Sequence, residues 1–173
     1  MSREPTTEAD ARRRVTELVR EARICMLTTI GVDGRQVSRP MALQEAEFDG
    51  DLWFFTHAES AKVRQIRVNP EVNVAFSDQR RHAWVSVSGS ARESVDRGRA
   101  ERLWHPLLRT WFPDGPDTPG LTLLRVHASS AQYWDSPGGA VVHLVGLARA
   151  AVTGRPPEPG DNRSVSYERS SDA

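Results

Sequence analysis

The residues with the strongest claim to chemistry lie between Arg39 and Lys62. Lysine and arginine together number 23, yet Lys62 is the one lysine and the other 22 are arginine. A chain that uses arginine for generic positive charge and keeps one lysine points to a site that needs a compact ammonium rather than a planar fork. The segment around it reads Leu52-Trp-Phe-Phe-Thr56-His-Ala-Glu-Ser60-Ala-Lys62-Val. This is an apolar strand running through two hydroxyl residues into a helix start, where free backbone N–H groups and the positive dipole end favour an anion. Arg39, on a preceding predicted strand, adds a second cation. Arginine and lysine beside the hydroxyls of Thr56 and Ser60 can hold a dianionic phosphate through charge-assisted hydrogen bonds. A solitary helix lysine is ordinarily just solvated, and it is the company of strand, hydroxyls and helix start that carries the phosphate reading. Trp84, Trp104, Trp111 and Trp134 could stack on a planar ring, although a tryptophan is more often core.

Positioning these groups requires a mostly β scaffold. Residues 1–6 read as a flexible N-terminus. Thr7 and Asp10 form a capping box for a helix to about Arg23, with Val15, Leu18, Val19 and Ala22 on one face. Ile24 to Ile30 reads as a strand, Gly31 to Gly34 as a hairpin turn, and Gln36 to Phe48 as the returning strand that carries Arg39. Asp49-Gly50 is a turn, Leu52 to Thr56 a third strand, and Ser60 to Val68 a short helix ended by Asn69-Pro70. Val72 to Ser77 and the alternating run Trp84 to Arg92 are further strands. A helix capped by Asp96 is predicted to reach Leu108, followed by a proline-rich loop and a long strand, Leu121 to Trp134. Gly138-Gly139 opens a predicted helix to about Thr153, and residues 154–173 read as a disordered tail. Residues 7–153 thus form one domain. Six strands joined by short hairpins, without regularly interleaved crossover helices, predict a closed antiparallel sheet.

Composition narrows the function. Acidic and basic residues balance at 23 each, which predicts neither nucleic-acid binding nor an anionic membrane surface. Arg12 to Arg14 lead into a stretch broken by Glu17 and Glu21, unlike a signal peptide, and the apolar segment 140–152 contains His143 and Arg149 and is too short to span a bilayer. The expected location is the cytoplasm. Cys25 sits in an apolar run and reads as an inert buried thiol. His57, His82, His105, His127 and His143 show no metal-ligand spacing, and the glycines form neither a dinucleotide fingerprint nor a P-loop.

Taken in order, Arg39-Pro40-Met41, Phe55-Thr56 with Ser60-Ala-Lys62-Val63, Asn69-Pro70, Val85-Ser-Val-Ser-Gly89 and Gln132-Tyr-Trp134-Asp135 resemble the pyridoxamine-phosphate-oxidase-like FMN-binding split barrels. The segment from Trp104 to Pro116 is most similar to the bacterial general-stress-protein branch. The resemblance spans about Glu8 to Thr153. It implies a six-stranded Greek-key split barrel that dimerises, with one FMN in each of two clefts between subunits. Arg39, Thr56, Ser60 and Lys62 would bind the phosphate, Phe55 would lie beside them, the backbone of Pro40 and Met41 would face the flavin, Trp84 would lie against it, and Trp134 would reach it from the partner chain. The aromatics Trp104, Trp111, Phe112 and Trp134 are expected to be too many for a small barrel to cover alone. Departures concern activity: Gln44 stands where the oxidases carry a substrate-binding lysine, Trp84 where they place a glutamine, Ala61 where they have a second basic residue, and the tail after Thr153 lacks their C-terminal arginine motif. The resemblance therefore implies a flavin-dependent oxidoreductase with an unidentified small-molecule substrate or electron donor, and not a vitamin-B6 oxidase. A flavin-sequestering stress protein and a deazaflavin-dependent reductase are the alternatives.

Overall fold

Local signals set most of the elements. In the computed structural model, which describes residues 7–44, 48–135 and 161–167, helix α1 (Glu8–Ala22) opens on the predicted capping box: Thr7 Oγ1 accepts from the Asp10 amide and the Asp10 carboxylate accepts from the Thr7 amide. Its buried stripe is Ala11, Val15, Leu18 and Val19. There follow β1 (Ile24–Ile30), β2 (Gln36–Ala42), β3 (Asp51–His57), α2 (Ala61–Val68), β4 (Glu71–Asp78), β5 (Ala83–Ser94), α3 (Arg97–Leu103), two short 3-10 turns at Pro106–Thr110 and Gly115–Asp117, β6 (Leu121–Asp135) and β7 (Asp161–Ser166).

Every strand pairing is antiparallel, in the order β2-β1-β4-β5-β6-β3, with β7 added on β6. The jump of β3 to β6 gives the Greek-key character. One face carries the main core: Cys25 and Leu27 of β1, Val72, Val74 and Phe76 of β4, Val85 and Val87 of β5, and Tyr133 of β6 pack with α1 and α2. A second cluster lies on the opposite side of β3, where Trp53, Phe55 and Leu123 meet Leu108 and Phe112. Alternation explains both, since Leu52 and Phe54 of the same strand turn to the main core while Trp53 and Phe55 turn away from it.

Several expectations need correction. The sheet has seven strands rather than six, and among the described residues no ladder closes it. β2 stops at Ala42 instead of reaching Phe48: Leu43 N still donates in register to Arg23 O (2.8 Å), just before β1, but Gln44 N turns to Trp53 O (3.1 Å). That second bond is the seam between the two ends of the sheet. The helix after Asp96 divides at Trp104, where Pro106 stops it and starts a 3-10 turn. Of the four aromatics expected to lack cover, Phe112 is buried and Trp104 half-buried in their own chain, while Trp111 and Trp134 stay exposed.

The disordered reading of residues 154–173 fails for Asp161–Tyr167. β7 pairs with Ser130–Asp135 of β6. Val165 is buried, Tyr167 packs on Phe48 with ring centroids 5.3 Å apart, and the Arg12 guanidinium sits 5.1 Å above the Tyr167 ring. The predicted helix from Gly138 to Thr153, residues 1–6 and the rest of the tail lie outside the described residues.

β6 changes partner partway along its outer edge, pairing with β3 up to His127 and with β7 from Ser130. The change coincides with a bulge against β5: Ser88 faces Ser130 but Gly89 faces Ala128, which leaves Ser129 extra. Ser129 then bonds in both directions, its Oγ donating to Ser88 O (3.0 Å) and its carbonyl accepting from Tyr167 N (2.9 Å).

Candidate functional site

Arg39 and Lys62 are brought together by β2 and α2. Lys62 is in the first turn of α2, whose cap is Ser60. The Ser60 hydroxyl does not bond the helix backbone; it lies 3.3 Å from Thr56 Oγ1, and Lys62 Nζ donates to that same Thr56 oxygen at 2.9 Å. Thr56 is buried at the end of β3. The strand end, cap and first helical turn therefore converge, as the sequence spacing requires.

Arg39 reaches this point from β2. Its Nη1 donates to Thr29 Oγ1 (2.6 Å) and Leu27 O (3.2 Å), and its Nη2 to Gln65 Oε1 (3.1 Å). Thr29 Oγ1 in turn donates to Gln65 Oε1 (2.6 Å). Among the described residues neither Arg39 nor Lys62 meets a carboxylate: their recorded partners are hydroxyls, an amide oxygen and a backbone carbonyl. Burial lowers the pKa of Lys62, and the nearby positive charge of Arg39 lowers it further. Burial likewise lowers that of Arg39. Two half-buried cations that repel each other, each bonded to a hydroxyl and with no carboxylate partner among the described residues, fit an external dianion such as a phosphate.

The remaining expected residues divide between this point and elsewhere. Pro40 is exposed opposite Met26, and Met41 packs against the main core with its carbonyl 3.5 Å from Cys25 Sγ. Phe55 turns into the second cluster, edge-on to Trp104 at 5.6 Å, so its side chain faces away from Thr56. Trp84 and Trp134 are directly paired across β5 and β6, 41% and 38% exposed, on the face away from the main core. In the sheet order β1 and β4 separate Trp84 from β2, and β5 lies further between β2 and Trp134. The single chain thus assembles the cation pair but not the tryptophans with it. Cys25 is buried, and desolvation pushes its thiol up to about 12, far from thiolate chemistry.

Sequence reasoning missed Thr29 and Gln65. Both left a signal. Gln65 is three residues after Lys62 on a short helix, hence on a neighbouring face. Thr29 follows Cys25 and Leu27 on the inward side of β1, and a polar residue in such a series needs a partner.

The outer sheet face carries Pro40, Ile24, Met26, Ala75, Trp84 and Trp134, with Ser86, Ser88, Ser130 and Gln132 among them. Ile24 is 57% and Met26 42% exposed. Along β5 and β6 this face is uncharged from Trp84 to Ser88 and from Ser130 to Trp134. No helix among the described residues is long and apolar enough to cross a membrane.

Comparison with known proteins bears on this arrangement. A family model described as pyridoxamine 5'-phosphate oxidase like matches residues 10–158. Protein bli-3 of Neurospora crassa is 31% identical over 152 residues, which cover 83% of this chain and 73% of that protein. A general stress protein 26 of Jannaschia sp. CCS1 superposes with a TM-score of 0.75 over 92% of this chain and 99% of its own; at 24% identity it shows the fold alone. The general stress FMN/FAD binding protein of Xanthomonas citri is 34% identical, with a TM-score of 0.61 over 70% of this chain and 86% of its own.

Proposed function

The chain belongs to the pyridoxamine 5'-phosphate oxidase-like family, and from that premise we propose that it is a cytoplasmic FMN-binding protein of the general-stress type, a flavin-dependent oxidoreductase acting on a small molecule. The observation that carries the cofactor reading is the pairing of Arg39 with Lys62 beside Thr56 and Ser60, with no carboxylate partner among the described residues. Bound FMN would supply the redox chemistry. The protein's own part would be to hold the phosphate at the two cations and to seat the ring along the backbone of Pro40 and Met41. Among the described residues the side-chain partners of the cation pair are Thr29, Gln65 and Thr56.

Titration of the purified apoprotein tests the phosphate assignment. Lys62→Ala is expected to weaken FMN binding by about 1.5–3 kcal/mol, the range for a hydrogen bond to a charged group, or roughly 10- to 150-fold. Riboflavin, which lacks the phosphate, should bind both proteins alike. Unchanged FMN affinity in a folded Lys62→Ala protein would rule the assignment out.

The family reading further supports a homodimer in which Trp134 of one subunit meets the flavin anchored by the other, and Trp84 is paired with Trp134 on the same face. The large uncharged outer face, with Ile24, Met26 and both tryptophans open, has the character of an interface core. Sedimentation at micromolar concentration is expected to give a dimer. A monomer that retains flavin would refute both the assembly and the shared cleft.

A further inference from the structure

An arginine in a folded protein is usually held by a carboxylate, and the holding neutralises it. Arg39 is held in the same two-pronged way by groups that carry no charge. Its Nη1 meets Thr29 Oγ1 at 2.6 Å and its Nη2 meets Gln65 Oε1 at 3.1 Å, while Thr29 Oγ1 to Gln65 Oε1 at 2.6 Å closes the ring. Guanidinium has donors only, so Gln65 must present its oxygen. The Thr29 hydroxyl accepts from Arg39 and gives its one proton to Gln65, which fixes the direction of every bond in the ring. The two oxygens occupy the place of a carboxylate's two oxygens and bring no negative charge, nor does any other partner of Arg39 among the described residues. Thr29 is fully buried, so water does not compete for the two bonds its hydroxyl makes in the ring.

We propose that Thr29 and Gln65 are positioning residues, a neutral fork that aims Arg39 at the cofactor phosphate beside Lys62 while preserving its full charge. This rests on the phosphate reading above and extends it to residues that would not themselves touch the ligand. It also accounts for the amide three residues after Lys62. A glutamate there would hold Arg39 equally well in geometry, but its charge would repel the incoming dianion.

The test compares FMN with riboflavin on folded full-length wild type, Gln65→Met, Gln65→Glu, Arg39→Ala and the Arg39→Ala/Gln65→Met double variant. Gln65→Met, close in volume but without the acceptor, is expected to weaken FMN about tenfold and leave riboflavin unchanged. Gln65→Glu should weaken FMN more than Gln65→Met does, again without effect on riboflavin. In the Arg39→Ala background, Gln65→Met should add less than about twofold, since its effect passes through Arg39. Parallel losses for FMN and riboflavin, or a full tenfold loss that persists without Arg39, would reduce Gln65 to a packing residue and overturn the proposal. So would Gln65→Glu binding FMN as well as wild type. If Lys62→Ala lowers FMN affinity selectively while both Gln65 variants do not, the positioning role fails and the phosphate site stands. If no variant changes the preference for FMN over riboflavin, the phosphate site itself is lost.

Discussion

Offered pyridoxamine 5'-phosphate and oxygen, the FMN-loaded protein is expected to turn over with a kcat/KM about two to four orders of magnitude below that of a genuine oxidase. The expectation comes from the contacts that a substrate's own phosphate would need. The true oxidases that this chain resembles carry a lysine at the position of Gln44, and here the side chain is neutral and already engaged: Gln44 Nε2 donates to Ala42 O at 2.7 Å, while its backbone N–H forms the seam to Trp53. Its side-chain amide thus folds back on β2, and its backbone N–H joins β2 to β3. The second missing contact is the C-terminal arginine motif. Where that part of the chain is described it is β7, laid along β6 and anchored by Val165 and Tyr167. Two absent charge-assisted contacts at about 1.5–3 kcal/mol each give the stated range, at 1.36 kcal/mol per tenfold in rate. A steady-state assay decides the matter, and a kcat/KM within tenfold of a genuine oxidase would mean that other groups take over the substrate phosphate.

The contrast between Gln44 and Gln65 shows how little the residue type alone reveals. Both are amides near cations or their expected positions. One stands where the oxidases that the chain resembles carry a charge, whereas the other is proposed to stand where a charge would repel the phosphate. Charge at this site has to be distributed as well as supplied: two cations within reach of one phosphate are useful only if nothing inside the protein neutralises them.

What could be read from the sequence follows the range of the interactions involved. The Thr7–Asp10 cap, the Gly31–Gly34 turn, the Asn69-Pro70 stop and the alternation of Trp84 to Arg92 all involve neighbours a few residues apart, and all appear in the structure. Lys62 with Thr56 is also local, six residues apart across a strand-to-helix turn. β7 was hidden because Asp161-Asn-Arg-Ser-Val165-Ser has a single apolar residue; it is a strand because β6, 30 residues or so earlier, offers an unpaired edge. The Arg39–Thr29–Gln65 ring was hidden for a related reason. Its members come from β2, β1 and α2, and two of the three carry no charge to mark them.

The largest structural effect is expected from one methyl group. Gly89→Ala should lower stability by about 3 kcal/mol or more, beyond the usual range for overpacking, because the methyl meets backbone rather than a side chain that could swing aside. A Cβ at Gly89 would lie 2.0 Å from His127 O, 2.9 Å from His127 C and 3.0 Å from Ala128 Cα. These atoms are held from both edges of β6: His127 pairs with Asp51 and Ser90, and Ala128 N donates to Gly50 O at 2.8 Å. For a domain of this size the melting temperature should fall by roughly 6–12 °C. Ser88→Ala, one residue earlier with an exposed side chain, is the control and should melt close to wild type. The variant has one escape, which is to straighten the bulge and slide β6 by a residue against β5. Because successive side chains alternate, that slip would turn Trp134 from the outer face toward the core and bring Tyr133 out. Gly89→Ala must therefore lose either stability or the outer tryptophan pair. A variant that melts within about 2 °C of wild type, with unchanged tryptophan exposure by fluorescence quenching, would show that β6 tolerates the methyl without giving up its register.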